Sequence, residues 1–497
     1  MKEVSKSVAY WAAKSPERPA VVDEYASVSY RKLHERANRW VGALREAGAA
    51  PGSGIMLLLS NRVEFVEVLL ATVRADVVPF VLNSEYTAED VIGLAAFSGA
   101  GLLVTTRTIA RELGFGRKSP FRVACVEDID VSEYSKRERP PTELGTDIVF
   151  FSSGTTGKPK GITVPKSVFD LKPTIPESNK KPKACLLCRP LFFRAHMTAM
   201  CGILQDGDTI VLARKADPVV WTKLIERHRV RLVSMGPGDM SKWFDCLERV
   251  GGKVPRSVKR ILSTGAPIGR SLKARIKELI PGVRVTDLYG TSELGAIATI
   301  DSDEWAGKDG SCGRPSFFNT VKIAGDDGKP LKPFVIGEVW VKSPSRMKEY
   351  FGDPRLTGRT VAGDYVKTGD LGYMDEQGYL YLTGRKHGVI NRSGFHIVPE
   401  EVERVLQEVP GVESVVVVGV EHPDRGQEPV AFVRLRERGR KETDTDKKRS
   451  LISHCESRLA RYKVPAAVWF VKEIPLNSAG KADRRQLARR LARREAE

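Results

Sequence analysis

Between residues 146 and 290, short runs rich in Val, Ile and Leu alternate with longer amphipathic stretches, and that alternation leaves few architectures open. The runs "TDIVFF", "GDTIVLA", "VRLVSM", "KRILSTGA" and "RVTDLYG" are continuous in their apolar residues rather than alternating. Strands buried on both faces read this way, whereas strands with one wet face show a period of two. The intervening "PVVWTKLIERH" and "SLKARIKELI" place apolar residues at helical spacing. A strand–helix–strand order of this kind predicts α/β layers around a largely parallel sheet.

After about residue 387 the pattern becomes compact. A helix "PEEVERVLQEV", strands "VESVVVVGV" and "PVAFVRL", a helix "SLISHCESRLA", a strand "AAVWFVKEI" and a basic tail predict a small separate α+β domain. The charged stretches "ESNKKPK" and "RERGRKETDTDKKR" read as exposed loops. The 497 residues suffice for about three structural domains and a large core. No apolar run is long enough to span a membrane. The first twenty residues lack a signal-peptide core, so the cytoplasm is the expected compartment. Seven cysteines include an odd thiol, which favours the reduced state. Only Cys185 and Cys188 in "CLLC" have metal-like spacing, and without a second pair they read as structural thiols.

The formal net charge of +18 admits a nucleic acid, an anionic surface or a polyanionic small substrate. Acids interrupt the bases along most of the chain, and the terminal "RRQLARRLARREAE" reads as the solvated face of a helix, so nucleic acid is not the expected partner. A phosphate ligand fits better with "FFSSGTTGKPKG", Phe150 to Gly161. Here an apolar strand delivers hydroxyls, glycines and lysines into one loop, a set that suits phosphate oxygens. Gly154 and Gly157 lie three apart and Lys158 precedes a proline, so this is not the common nucleotide P-loop; taken alone, the loop could equally be a linker.

The loop resembles the phosphate-binding loop of the adenylate-forming superfamily of acyl-CoA synthetases, peptide-synthetase adenylation domains and luciferases. Further segments match in the family's order: "LSTGAPI", "DLYGTSELG", "GSCGRP", "KTGDLGYMDEQGYLYLTGRK", "NRSGFHIVPEEVE" and "PLNSAGKADRRQL". The resemblance covers nearly the whole chain and is strongest to acyl-CoA ligases. It implies a large multi-subdomain N-terminal α/β domain, residues 1–386, and a small α+β C-terminal lid, residues 387–497, hinged near His387. It further implies that ATP and Mg²⁺ activate a carboxylic acid as its acyl-adenylate, and that a thiol then displaces AMP.

By the same resemblance, Ser152, Ser153, Gly154, Thr155, Thr156, Gly157 and Lys158 grip the β- and γ-phosphates. Gly265, Ala266 and Pro267 line the adenine, Asp287 meets its amino edge, and Tyr289, followed by Gly290, stacks on its face. Ser292 stands near the α-phosphate where relatives carry Thr, and Glu293 matches the metal ligand. Asp370 accepts the ribose hydroxyls with Arg385 beside it. Lys481 is the lid lysine that bridges the attacking carboxylate and the α-phosphate. His387 takes the hinge position, where relatives carry Asp or Lys, and Gly394 in "SGFH" lines the CoA tunnel.

"RPLFFRAHMTAM" resembles the segment entering the acyl pocket, with Phe193 where amino-acid-activating relatives place Asp. A phenyl ring cannot supply the ion pair that Asp gives the α-ammonium, which disfavours α-amino acids and favours a hydrophobic acid. His196 reads equally as a substrate neighbour or a buried structural histidine. Three functions remain open: an acyl-CoA ligase, an enzyme that hands acyl-AMP to a carrier protein or a partner enzyme, and a non-catalytic basic binding protein.

Overall fold

In the computed structural model, residues 1–137, 147–153, 159–170, 182–386, 388, 390–392, 395–422, 426–436, 443–477 and 481–494 are described. They form two compact units. The first comprises Met1–Thr264, Gly282–Ile297 and Ser343–Val366; the second comprises Gly265–Pro281, Ala298–Lys342 and Lys367–Glu497.

Each apolar run in the first unit becomes a strand. Arg284–Thr291, Arg260–Thr264, Leu232–Met235, Ala184–Leu187, Thr209–Leu212 and Pro19–Val22 lie side by side in that order, every neighbouring pair parallel. A second sheet sets Ile148–Ser153, Val78–Val81, Gly54–Leu57, Leu102–Thr105 and Arg122–Cys125 in parallel order. The helices between strands start and stop where local chemistry directs. Asp217 accepts from Val219 N–H to open Pro218–His228, with proline at the first helical position. Gly207, at φ 71°, ends Arg194–Asp206 in the left-handed conformation that glycine adopts cheaply. Trp40, Phe65, Leu69, Phe150, Leu187, Met197 and Ile210 are buried in one core cluster.

The second unit holds a sheet of Thr320–Ala324, Gly337–Lys342, Tyr365–Met374, Leu380–Arg385 and Ser311–Pro315. A separate sheet is built on the long antiparallel pair Val412–His422 and Gly426–Leu435, with Ala467–Phe470 parallel to the latter. Its valine run lacks alternation because both faces are covered. Val415, Val417, Ala431 and Val433 face a core shared with Val402, Leu406, Leu451 and Cys455. Val416, Val418, Val430 and Phe432 face Leu487 and Leu491 of the terminal helix Arg484–Arg494. Arg489 and Arg490 on that helix are exposed.

One boundary differs from expectation. The charged stretch ending in "DTDKKR" is not all loop, because Thr443 accepts from Asp446 N–H and starts a helix at Asp444. Among the described residues, no helix is long and apolar enough to cross a membrane. The seven cysteines are all unpaired, and burial pushes the Cys185 thiol up to about 12.

Candidate active site

The loop at Gly154, Thr155, Thr156, Gly157 and Lys158 lies outside the described residues, but its two stems do not. Ile148–Ser153 and Pro159–Val164 form an antiparallel ladder that runs from Ile148 opposite Val164 to Ser153 opposite Pro159, so Ser152 and Ser153 end the hairpin arm that leads into the loop. Downstream, the Lys160 ammonium lies 5.7 Å from the centre of the Tyr350 ring.

Tyr350 links that hairpin to the acidic turn. The strand Arg284–Thr291 carries Asp287, Tyr289 and Gly290 to its C-terminal end, where Ser292 and Glu293 follow. A side chain at Gly290 would collide with the carbonyl oxygen of Gly295, so the tight turn demands glycine. The Tyr350 hydroxyl donates to Glu293 Oε1 at 2.8 Å, and Met347 N–H donates to the Glu293 carbonyl at 2.6 Å. Arg194 Nη1 donates to the Ser292 carbonyl at 2.6 Å, and Nη2 donates to the Ser345 carbonyl. Burial pulls this guanidinium down to about 10 against the opposing pull of Glu293, which leaves it cationic at neutral pH. A buried cation therefore staples the serine–glutamate turn to the 343–347 loop.

Arg194 begins a helix whose N-cap is Phe193. The Phe193 ring is 4.4 Å from Phe192 centre to centre, and the Arg189 guanidinium sits 4.8 Å over it. One turn on, His196 is 1% exposed, and its Nε2 is 3.1 Å from Ser234 Oγ. Burial, reinforced by Arg189, lowers its pKa to about 3, so the ring is neutral under ordinary conditions.

Within the second unit, two residues far apart in sequence meet. Asp370 and Arg385 are register partners on adjacent antiparallel strands, with Arg385 Nε 2.9 Å from Asp370 Oδ1. Asp370 is 5% exposed, and its N–H donates to Thr368 Oγ1 at 3.0 Å. Gly265, Ala266 and Pro267 form an exposed turn with Gly265 at φ 98°. Lys481 is exposed, and its N–H donates to Asn477 Oδ1 at 3.0 Å. His387 and Gly394 lie outside the described residues.

Arg194 and Tyr350 were missed by the sequence reading. Arg194 left one signal, a charge inside the apolar run "LFFRAHM"; buried charges of that kind need partners. Tyr350 left none, because its partner is 57 residues away.

Known proteins resemble this chain from end to end. Residues 8–351 match the AMP-binding enzyme family, and residues 401–481 match the AMP-binding enzyme C-terminal domain. The chain is 33% identical over 487 residues to 2-succinylbenzoate–CoA ligase of Geobacillus kaustophilus, covering 97% of this chain and 96% of the relative. It is 31% identical over 491 residues to a feruloyl-CoA synthase of an Amycolatopsis species, with 96% and 97% covered. It superposes on o-succinylbenzoate CoA synthetase from Bacillus subtilis, solved with its acyl-adenylate intermediate, at a TM-score of 0.84 and 27% identity over 97% of each chain. The chain belongs to the AMP-binding enzyme family.

Proposed function

We propose that this protein is an AMP-forming acyl-CoA ligase that acts on a hydrophobic carboxylic acid in the cytoplasm. The observation that carries the reading is the end-to-end likeness to CoA ligases, which spans both the AMP-binding region and the C-terminal domain. In the first half-reaction a carboxylate oxygen attacks the α-phosphorus of ATP; the bond to the bridging oxygen breaks and pyrophosphate leaves. In the second, a CoA thiol loses its proton and attacks the acyl carbon, and AMP leaves. Two anions must meet in the first step, so placement and positive charge supply most of the acceleration.

Ser152, Ser153, Gly154, Thr155, Thr156, Gly157 and Lys158 hold the leaving pyrophosphate. Gly265, Ala266, Pro267, Asp287, Tyr289 and Gly290 hold the adenine, and Asp370 with Arg385 the ribose. Ser292 lies by the α-phosphate, and Lys481 meets both reacting oxygens. His387 is the hinge between domains 1–386 and 387–497, and Gly394 gives passage to the pantetheine arm.

Glu293 fits a magnesium site, because that cation takes one or two carboxylates alongside substrate phosphates. Among the described residues, no cluster of three or more metal-binding side chains offers an alternative. Bound there, the ion would neutralise phosphate charge. The acid is aromatic or otherwise apolar: Phe193 offers no carboxylate to pair with an α-ammonium group, and the two relatives are named for acids built on benzene rings. His196, one helical turn from Phe193, is buried against Ser234 and belongs to the same segment.

The test is a panel of carboxylic acids assayed for pyrophosphate release with and without CoA, with the product weighed by mass spectrometry. Acyl-CoA from an apolar acid is the expected product. Acyl-AMP that accumulates unchanged in the presence of CoA would instead assign the acceptor to a carrier protein or a partner enzyme.

A further inference from the structure

The segment that bears Lys481 is shaped locally but anchored from outside. Leu476 and Ala482 face each other in an antiparallel bridge, Asn477 N–H donates to the Lys481 carbonyl at 2.7 Å, and Asp483 N–H donates to the Pro475 carbonyl at 2.7 Å. Bonds of this kind fix a turn's shape and not its bearing on the rest of the domain. The bearing comes from Ile474 and Ala482, which pack against the cluster of Val416, Val418 and Leu487, and from the polar grip of Arg484. Its Nη1 donates to Glu403 Oε1 at 2.5 Å and to the Val417 carbonyl, and its Nη2 donates to Glu400 Oε1 at 2.8 Å and Glu403 Oε2 at 3.2 Å. Val417 N–H in turn donates to Glu403 Oε1 at 2.7 Å. One planar fork thus ties the base of the lysine turn to the helix Pro399–Leu406 and the strand Val412–His422, and a fork resists the rotation that a single bond permits.

We propose that Arg484 is a positioning residue for Lys481, holding the turn so that the ammonium arrives where the acid carboxylate meets the α-phosphate. This rests on the reading of Lys481 as the adenylation lysine. A lysine stem is long and flexible, so its aim depends on a fixed base, and a displacement of about 1 Å can cost about 10²-fold in rate. A side chain that merely stabilised the lid would matter to both half-reactions. Arg484 matters to the first, because the thiol step does not use Lys481.

The experiment measures the half-reactions separately on the full-length protein: ATP–pyrophosphate exchange with an accepted acid, and CoA-dependent consumption of chemically prepared acyl-adenylate. Arg484→Gln is expected to lower exchange about 10²-fold and to leave acyl-adenylate consumption as in wild type. The double variant Lys481→Ala/Arg484→Gln is expected to be no slower in exchange than Lys481→Ala alone, since one residue acts through the other. Glu403→Gln, which keeps side-chain volume, gives the same split should Arg484→Gln fold poorly. Equal losses in both half-reactions, or an additive double variant, overturn the proposal. Wild-type exchange that is unchanged in Arg484→Gln and Glu403→Gln overturns it while leaving the enzymatic reading intact; a wild type without exchange overturns both.

Discussion

The proposed role of Glu293 as the magnesium ligand calls for a carboxylate that keeps still, and this one is held by a phenol. The Tyr350 hydroxyl engages Oε1 at 2.8 Å, while the main chain on either side is pinned by Met347 and Arg194. Hydrogen bonds to charged groups contribute about 1.5–3 kcal/mol, so Tyr350→Phe should lower pyrophosphate exchange by roughly 10- to 10²-fold. A drop of that size with an unchanged melting temperature supports the positioning; full exchange activity counts against it. His196 makes a second prediction, about stability. Its pKa falls from 6.5 to about 3 on folding, so below 6.5 the unfolded chain binds the proton that the fold refuses. The stability advantage of wild type over His196→Gln should therefore hold above about pH 6.5 and shrink by about 1.4 kcal/mol per pH unit toward pH 3. Urea titrations at several pH values check this, and a flat difference would remove His196 from the account of acid sensitivity.

Among elements, the terminal helix has the clearest energetic role. Leu487 is 0% exposed and covers one face of the valine sheet. Leu487→Ala should cost about 2–5 kcal/mol of the small domain's stability. Hydrogen exchange across Val412–His422 should accelerate in that variant, and unaltered protection there would show that the face is held by other contacts. Most elements were legible in the sequence for a physical reason: a strand buried on both faces is a run of branched residues, and "VRLVSM" or "VESVVVVGV" admits little else. The helix start at Asp444 was not, because "DTDKKRS" has no apolar period and only the Thr443 cap announces it. The nearness of Arg385 to Asp370 was implied by the family resemblance of one motif, while the strand register that sets them opposite each other is encoded in no local pattern.

At the scale of the whole molecule, the proposed chemistry is divided between parts of the chain far apart in sequence. Lys481→Ala should reduce acyl-adenylate formation by at least about 10²-fold, the size of effect seen when one preorganised electrostatic group is lost. It should spare the reaction of supplied acyl-adenylate with CoA; unchanged pyrophosphate exchange would remove Lys481 from the mechanism. The candidate site was visible as ordered motifs because its residues lie on turns such as Gly265–Pro267 or on strands such as Tyr365–Met374 whose polar and glycine residues stand out against the apolar strands. Arg194 showed only as a charge inside an apolar run, and Tyr350 and Arg484 stayed hidden because their contacts form only in three dimensions. The last of these has a consequence outside catalysis. Among the described residues Val412–His422 is an edge strand of its sheet, and a bare valine edge is a template for another chain's strand. At its middle, Val417, the outward amide is occupied by Glu403 and the outward carbonyl by Arg484. A neighbouring molecule finds no main-chain partner there, so the ion pair proposed to steady the lysine turn also blocks strand addition at that point of the edge.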